Sequence, residues 1–292
     1  MRTPALTPLA QSLPDTVPFV GPETQERARG RVFKARLGAN ENLFGPSPSA
    51  VAAMANAAAD IWMYGDPENH DLRHALAVHH GVAAENIVVG EGIDALLGNL
   101  VRLMVGPGDR VVTSEGAYPT FNFHVAAVGG VVEKVPYKGD HEDPVALVAK
   151  ARDCGARIIY LANPDNPMGS WHQADVIEAM IADLPEDCLL CLDEAYIEMA
   201  SKDTAPAFNT DDPRVLRMRT FSKAYGMAGA RIGYAIGAVA IVRAFDKLRN
   251  HFGVSRIAQA GALAALADQD WLAKVLENIV GAKQRIAEIG QA

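Results

Sequence analysis

The sequence predicts an α/β protein: a mostly parallel central sheet with helices on both faces. From Pro46 onward, short apolar β-branched runs alternate with Ala-rich stretches of helical spacing. The runs are apolar throughout, as strands covered on both faces are. Strand, helix and strand recur at the repeat length of right-handed crossovers, which set successive strands parallel. The 292 residues, 49% hydrophobic and 21% charged, suffice for the core such a sheet needs.

In chain order, residues 1–45 form an N-terminal arm. Between Met1 and Val20 it carries Pro4, Pro8, Pro14 and Pro18, which argue against helix and central strand alike, so this stretch is expected to be irregular. The expected strands are Ile87 to Val89, Arg110 to Thr113, Val131 to Val135, Ile158 to Leu161, Leu189 to Leu192 and Val215 to Met218, all buried on both faces. Between them, helices are expected over about residues 68–80, 93–104, 119–127, 144–152 and 173–182. After Gly237 only helix is expected, over Ala238 to Asn250, Ser255 to Ala267 and Trp271 to Ile289. Residues 46–250 thus read as one large domain, and residues 251–292 as helices leading out of it.

Composition excludes several classes of function. With 27 Lys+Arg against 35 Asp+Glu, the formal charge is −8, so no global positive field gathers nucleic acid or an anionic membrane. An anionic ligand must be held by local groups. No stretch reaches the roughly 20 apolar residues of a membrane helix, and no basic segment followed by a continuous apolar run opens the chain. Cys154, Cys188 and Cys191 are too few and too clustered for a disulfide framework, which makes a reducing, cytoplasmic setting the expectation. Cys188 and Cys191 have Cys-x-x-Cys spacing but lie on an apolar strand without a second ligand pair, so they read as buried thiols and not as a zinc site. His70, His74, His79 and His80 read as a polar helix face.

Ligands of open α/β sheets bind beyond the carboxyl ends of the strands. Gly90-Glu91-Gly92-Ile93-Asp94 opens a helix there; free amides at Gly92, Ile93 and Asp94 can hold a phosphate, or the glycines can simply make a tight turn. The same string matches a dinucleotide-binding pattern, but the acid expected about 20 residues on is not clearly placed, which weakens a nicotinamide reading. Asp193 ends an apolar strand and needs a cationic partner, such as a protonated pyridine nitrogen. Tyr196 can offer a phenol to the same ligand. Lys223, flanked by Thr220 and Ser222, is placed to form a Schiff base with a carbonyl if its surroundings release the free amine.

In combination, Asn166 in Asn-Pro-x-Gly, Asp193 in Asp-Glu-Ala-Tyr, Ser222-Lys223 and Arg231 in Arg-x-Gly resemble the signature of fold-type I pyridoxal-phosphate aminotransferases. Leu37-Gly38-Ala39-Asn40-Glu41-Asn42, Tyr64-Gly65-Asp66-Pro67 and Thr220-Phe221-Ser222-Lys223-Ala224-Tyr225 are most similar to the histidinol-phosphate aminotransferase branch. The likeness runs from about Leu37 to Tyr234.

The resemblance implies a seven-stranded, mostly parallel sheet, pyridoxal 5'-phosphate as cofactor, and an amino acid or amino-alcohol phosphate and a 2-oxo acid as substrates. It makes Lys223 the residue joined to the cofactor and Asp193 the partner of the pyridine nitrogen, with Asn166 and Tyr196 on the 3′ oxygen and Phe121 stacked on the ring. It sets the phosphate against Gly92, Ile93, Asp94, Thr220, Ser222 and Arg231. Tyr64 would reach the site of a neighbouring subunit, which implies a homodimer.

Two departures stand out. Ile93 replaces a small or hydroxylated residue of the phosphate cup and offers only its backbone amide, which implies weaker cofactor binding. The family's C-terminal small domain, with its carboxylate-binding arginine, has no counterpart before Ala292; the last arginine is Arg285. Either the chain is truncated, or Arg36 or another N-terminal residue substitutes. The alternatives left open are a decarboxylase of a phosphorylated amino acid on the same fold, a catalytically impaired cofactor-binding fragment and, as the outsider, a nicotinamide dehydrogenase.

Overall fold

A computed structural model describes residues 4–15 and 19–291. The arm is not irregular throughout. It contains α1 (Pro8–Ser12) and α2 (Pro22–Arg29), each with proline in its first turn. A proline there lacks only an N–H that has no helical partner anyway, so it starts a helix as readily as it breaks one. Thr7 completes the start by accepting from the Ala10 amide at 3.2 Å. Pro18 lies outside the described residues.

A further helix missing from the expectation, α3 (Pro48–Ala57), begins the same way, with Ser47 accepting from the Ala50 amide at 3.1 Å. Then come α4 (His70–His80), β1 (Ile87–Gly90), α5 (Ile93–Met104), β2 (Arg110–Ser114), α6 (Pro119–Ala127), β3 (Val131–Val135), α7 (Pro144–Cys154), β4 (Ile158–Ala162), α8 (Ala174–Ala182), β5 (Leu189–Asp193) and β6 (Val215–Thr220). β7 (Gly233–Gly237), α9 (Val239–Ala244), α10 (Arg256–Ala267) and α11 (Gln269–Gln291) complete the chain. The helix expected to reach Asn250 leaves α geometry at Ala244 and ends in a 3₁₀ turn, Phe245–Lys247.

The seven strands are ordered β1-β7-β6-β5-β4-β2-β3. β7 is antiparallel to both its neighbours, β1 and β6, and every other pairing is parallel. Residue parity divides the core. Val111, Ile158, Tyr160, Cys191, Leu216 and Met218 pack under α5, α6 and α9. On the opposite face, Val112, Ile159, Leu161, Leu190 and Leu192 meet α7 and α8. Towards β1, that same face carries Val89, Tyr234 and Ile236 against α4 and α10. β3 departs from the expected double burial: it is the sheet edge, Val131 is 43% exposed, and Glu133 pairs with Lys150 at 3.1 Å. Cys188 and Cys191 are buried thiols, and burial pushes Cys188 up to about 12. His80 leaves the polar face of α4: its Nε2 lies 2.8 Å from the Tyr234 hydroxyl, and burial lowers its pKa to about 3.

Candidate active site

The carboxyl ends of β4, β5 and β6 converge with the start of α5 on one cleft, holding about 630 Å³ of non-protein space with its open mouth included. Ligand sites of open α/β sheets form at this edge because the strand-to-helix loops splay apart there. Its floor is Asp193. The pairings Tyr160↔Cys191 and Ala162↔Asp193 set all four residues on the α5/α6 side of the sheet. Asp193 is buried; its Oδ2 accepts from the Tyr160 hydroxyl at 2.7 Å and its Oδ1 from the Ala195 amide at 3.0 Å. Burial pushes its carboxyl up to about 6, and the Tyr160 bond opposes that rise.

Lys223 stands half-buried on the loop after β6. Burial lowers its pKa; Arg231 adds to that and Asp193 opposes it. Its amine donates to Ala39 O at 3.1 Å and lies 5.3 Å from the Tyr196 ring centroid. The N-terminal segment therefore crosses the lysine loop. Asn42 fastens it by donating to Lys223 O at 3.2 Å and Ala224 O at 3.0 Å. The two backbones approach so closely that a Cβ on Gly226 would stand 2.3 Å from Gly45 C. The Tyr196 hydroxyl collects Asn40 Nδ2 at 3.0 Å and Asn166 Nδ2 at 3.5 Å; burial raises its pKa to about 12, so it remains a donor.

The cationic end is formed by Arg231 and the α5 start. Gly92 caps α5 at φ 83° without a side-chain hydrogen bond, leaving the first helical amides free of a side-chain cap. A Cβ on Gly92 would stand 2.6 Å from Arg231 Nη2, so only glycine lets the guanidinium rest there. Thr220 and Ser222 line the wall between Arg231 and Lys223, with the Ser222 amide donating to Thr220 Oγ1 at 3.0 Å.

The cleft thus brings together Ile93, Asp94, Asn166, Asp193, Tyr196, Thr220, Ser222, Lys223 and Arg231, with Gly92 at its edge as the cap of α5. Asp94 also spans to α6 through His124 Nε2, at 3.0 Å. Phe121 must be corrected. It is fully buried on α6 and stacks on Tyr160, with centroids 4.8 Å apart, so it cannot stack on a ring in the cleft; Tyr118, just before Pro119, lines the cleft instead. The start of α6 at Pro119 turns the third helical residue into the core and leaves the N-cap at the cleft. Tyr64 is 74% exposed, beside Phe252 and not in this cleft. Arg36 is held by Glu23 and Glu41, each at 2.5 Å, and is not a lining residue. Tyr118 and Tyr160 escaped the sequence reading; the available signal for Tyr160 was a phenol on a strand of otherwise apolar residues, two positions before the strand ends.

Residues 34–289 match the family described as Aminotransferase class I and II. The chain belongs to that family. Among relatives of this aminotransferase, a histidinol-phosphate aminotransferase of Anaeromyxobacter sp. (strain Fw109-5) is 35% identical over 93% of this chain and 75% of its own. An aromatic amino acid aminotransferase of Corynebacterium diphtheriae is 38% identical over 88% and 76%. The solved histidinol-phosphate aminotransferase of Sinorhizobium meliloti, in complex with pyridoxal-5'-phosphate, superposes with a TM-score of 0.96 at 55% identity, over 99% of this aminotransferase and 78% of that chain.

Proposed function

We propose that this chain catalyses pyridoxal-phosphate-dependent transamination between a histidinol-phosphate-like amino-alcohol phosphate, or an amino acid, and a 2-oxo acid. The observation that carries the reading is a buried carboxylate and a half-buried lysine facing one cleft, with an arginine and an uncapped helix start at its end. These residues fit the cofactor: Asp193 for the ring nitrogen, Asn166 and Tyr196 for the phenolic oxygen, Lys223 for the aldehyde carbon, and Arg231 with Ile93, Asp94, Thr220 and Ser222 for the phosphate. A Cβ at Gly92 would collide with the Arg231 guanidinium that forms the cationic end of the cleft. The cofactor, when bound, supplies an electron sink for negative charge at the substrate Cα.

The chain's own residues do the rest. Asp193, ionised, favours a protonated ring nitrogen. Lys223, whose burial favours the neutral amine, would take the proton from Cα as general base and, as acid, deliver it to the carbon that carried the cofactor's aldehyde. Arg231 would anchor the phosphate through charge-assisted bonds, each about 1.5–3 kcal/mol.

The test is to incubate the cofactor-loaded protein with histidinol phosphate and 2-oxoglutarate and measure glutamate, with phenylalanine as a parallel donor because of the aromatic aminotransferase relative. Glutamate formed from histidinol phosphate supports the reading; formation from phenylalanine alone would move the substrate to the aromatic amino acids. No amine transfer from either donor would sink it. The free thiols of Cys154, Cys188 and Cys191 support a cytoplasmic setting for this reaction.

The same reading includes a homodimer with Tyr64 reaching the neighbouring site. It is supported by the exposed apolar cluster of Ile61, Trp62, Tyr64 and Phe252. Tyr64→Ala is expected to lose activity alone, and to recover part of it when mixed with Lys223→Ala, because one complete site then forms in each mixed dimer. Full activity of Tyr64→Ala alone, or no recovery on mixing, rules out a shared site.

A further inference from the structure

Tyr160 lies fully buried on β4, a position at which an aliphatic residue would fill the core without leaving a hydroxyl to satisfy. One face of its ring stacks on Phe121, with an interplanar angle of 13°, so the ring is clamped by the core. Its hydroxyl emerges at the floor of the cleft, 2.7 Å from Asp193 Oδ2. The Ala195 amide engages the other oxygen. These are the two hydrogen bonds that the Asp193 carboxylate accepts among the described residues.

We propose that Tyr160 is a positioning residue for the reaction: its hydroxyl fixes the Asp193 carboxylate on the cleft floor and favours its ionised form, the form that can pair with a ring nitrogen. This rests on the reading that Asp193 is that nitrogen's partner.

The surroundings leave Tyr160 in this role. Along β5, Cys191 is a buried neutral thiol, and the neighbouring Glu194 turns to the opposite face, where Arg217 and Arg219 hold it. From the loop before α7, Glu142 approaches as a buried acid raised by burial to about 7, which disfavours a second negative charge. From the loop after β6, Lys223 favours the carboxylate, but its amine is already directed to Ala39 O and Asn40 O. Tyr196, on the loop after β5, bonds Asn40 and Asn166. Tyr160 itself is pushed far above the ordinary phenol range by burial, so it donates throughout the working pH range.

Tyr160→Phe keeps the ring, its volume and its stacking, and removes only the donor. Without that donor the Asp193 carboxyl rises further above about 6, so protonation sets in at higher pH. The loss is therefore greatest on the acid side and fades as pH rises. The experiment measures the dissociation constant of pyridoxal phosphate from the apoprotein between pH 5.5 and 8.5, for wild type, Tyr160→Phe and Asp193→Asn. The ratio of Tyr160→Phe to wild type cancels the titration of free cofactor. It is expected to rise about five- to fortyfold between pH 8.5 and 6, as the acid limb moves up from about 6 by about one to two pH units. Infrared spectra of the apoproteins should show the neutral-carboxyl stretch at higher pH in Tyr160→Phe, assigned by its loss in Asp193→Asn.

A ratio independent of pH, with an unmoved carboxyl stretch, would overturn the inference even where Asp193→Asn binds cofactor poorly; that result leaves the Asp193 reading standing. Wild-type affinity in Asp193→Asn would instead overturn both.

Discussion

Lys223→Ala is expected to remove turnover, with kcat falling by about 10²–10⁴-fold or more, while pyridoxal phosphate still binds noncovalently. The lysine is the amine in the cleft that can both join a carbonyl and move a proton, and its burial favours the neutral form that both tasks need. Asp193, Arg231 and the α5 start remain in the variant to hold ring and phosphate. Lys223→Arg should be equally inactive, because a guanidinium stays charged and cannot serve as the base. Steady-state rates, cofactor content, and borohydride reduction followed by peptide mapping check this together. Retention of more than about a tenth of wild-type kcat in Lys223→Ala would exclude the lysine as base, and a reduced adduct on any other lysine would displace the whole assignment.

The parts of the fold legible in the sequence were those with strong periodicity or clear punctuation. β4 and β5 are continuous apolar runs, and α5 and α6 lie within the expected bounds because a glycine turn and a proline mark their starts. β7 escaped because Gly-Tyr-Ala-Ile-Gly holds one β-branched residue between glycines; what makes it a strand is pairing on both sides. α1 escaped because proline was weighed as a breaker where it stood at a helix start, and α3 begins with a proline in the same way. In the site, Asp193 and Lys223 stood out through charge beside an apolar strand. The choice between Tyr118 and Phe121 depends on the phase of α6 around Pro119, which spacing alone does not reveal. Tyr160 was hidden for the opposite reason: on an apolar strand a phenol reads as core, and most of it is.

The one-residue step from Asp193 to Glu194 supports a second large effect, on stability. Strand alternation turns Asp193 to the cleft and Glu194 to the other face, where its carboxylate meets Arg217 Nη2 at 2.6 Å and Arg219 Nε at 2.9 Å. Glu194 and Arg217 are almost wholly buried, and Arg217 is further satisfied by Pro206 O at 2.8 Å and by the Phe208 ring at 3.9 Å. Burial pushes the Glu194 carboxyl up, but the two guanidiniums outweigh it and hold the group below its ordinary value. Its contribution is therefore complete above the unfolded carboxyl pKa and is lost only as pH falls through the lower folded one.

Glu194→Ala, which leaves Arg217 buried without its carboxylate, is expected to reduce the unfolding free energy at neutral pH by about 3–5 kcal/mol. Replacing Glu194, Arg217 and Arg219 together by apolar residues should recover most of that, since the charges of the cluster are then removed together and neither Arg217 nor Glu194 is left buried without its partner. Because the cluster ties β5 to β6, whose ends carry Asp193 and the Lys223 loop, cofactor affinity should fall with stability in the single variant. Urea unfolding at one fixed protein concentration measures the difference. A loss below about 1 kcal/mol, the range of solvent-exposed pairs, would mean that the cluster does not tie the two strands together.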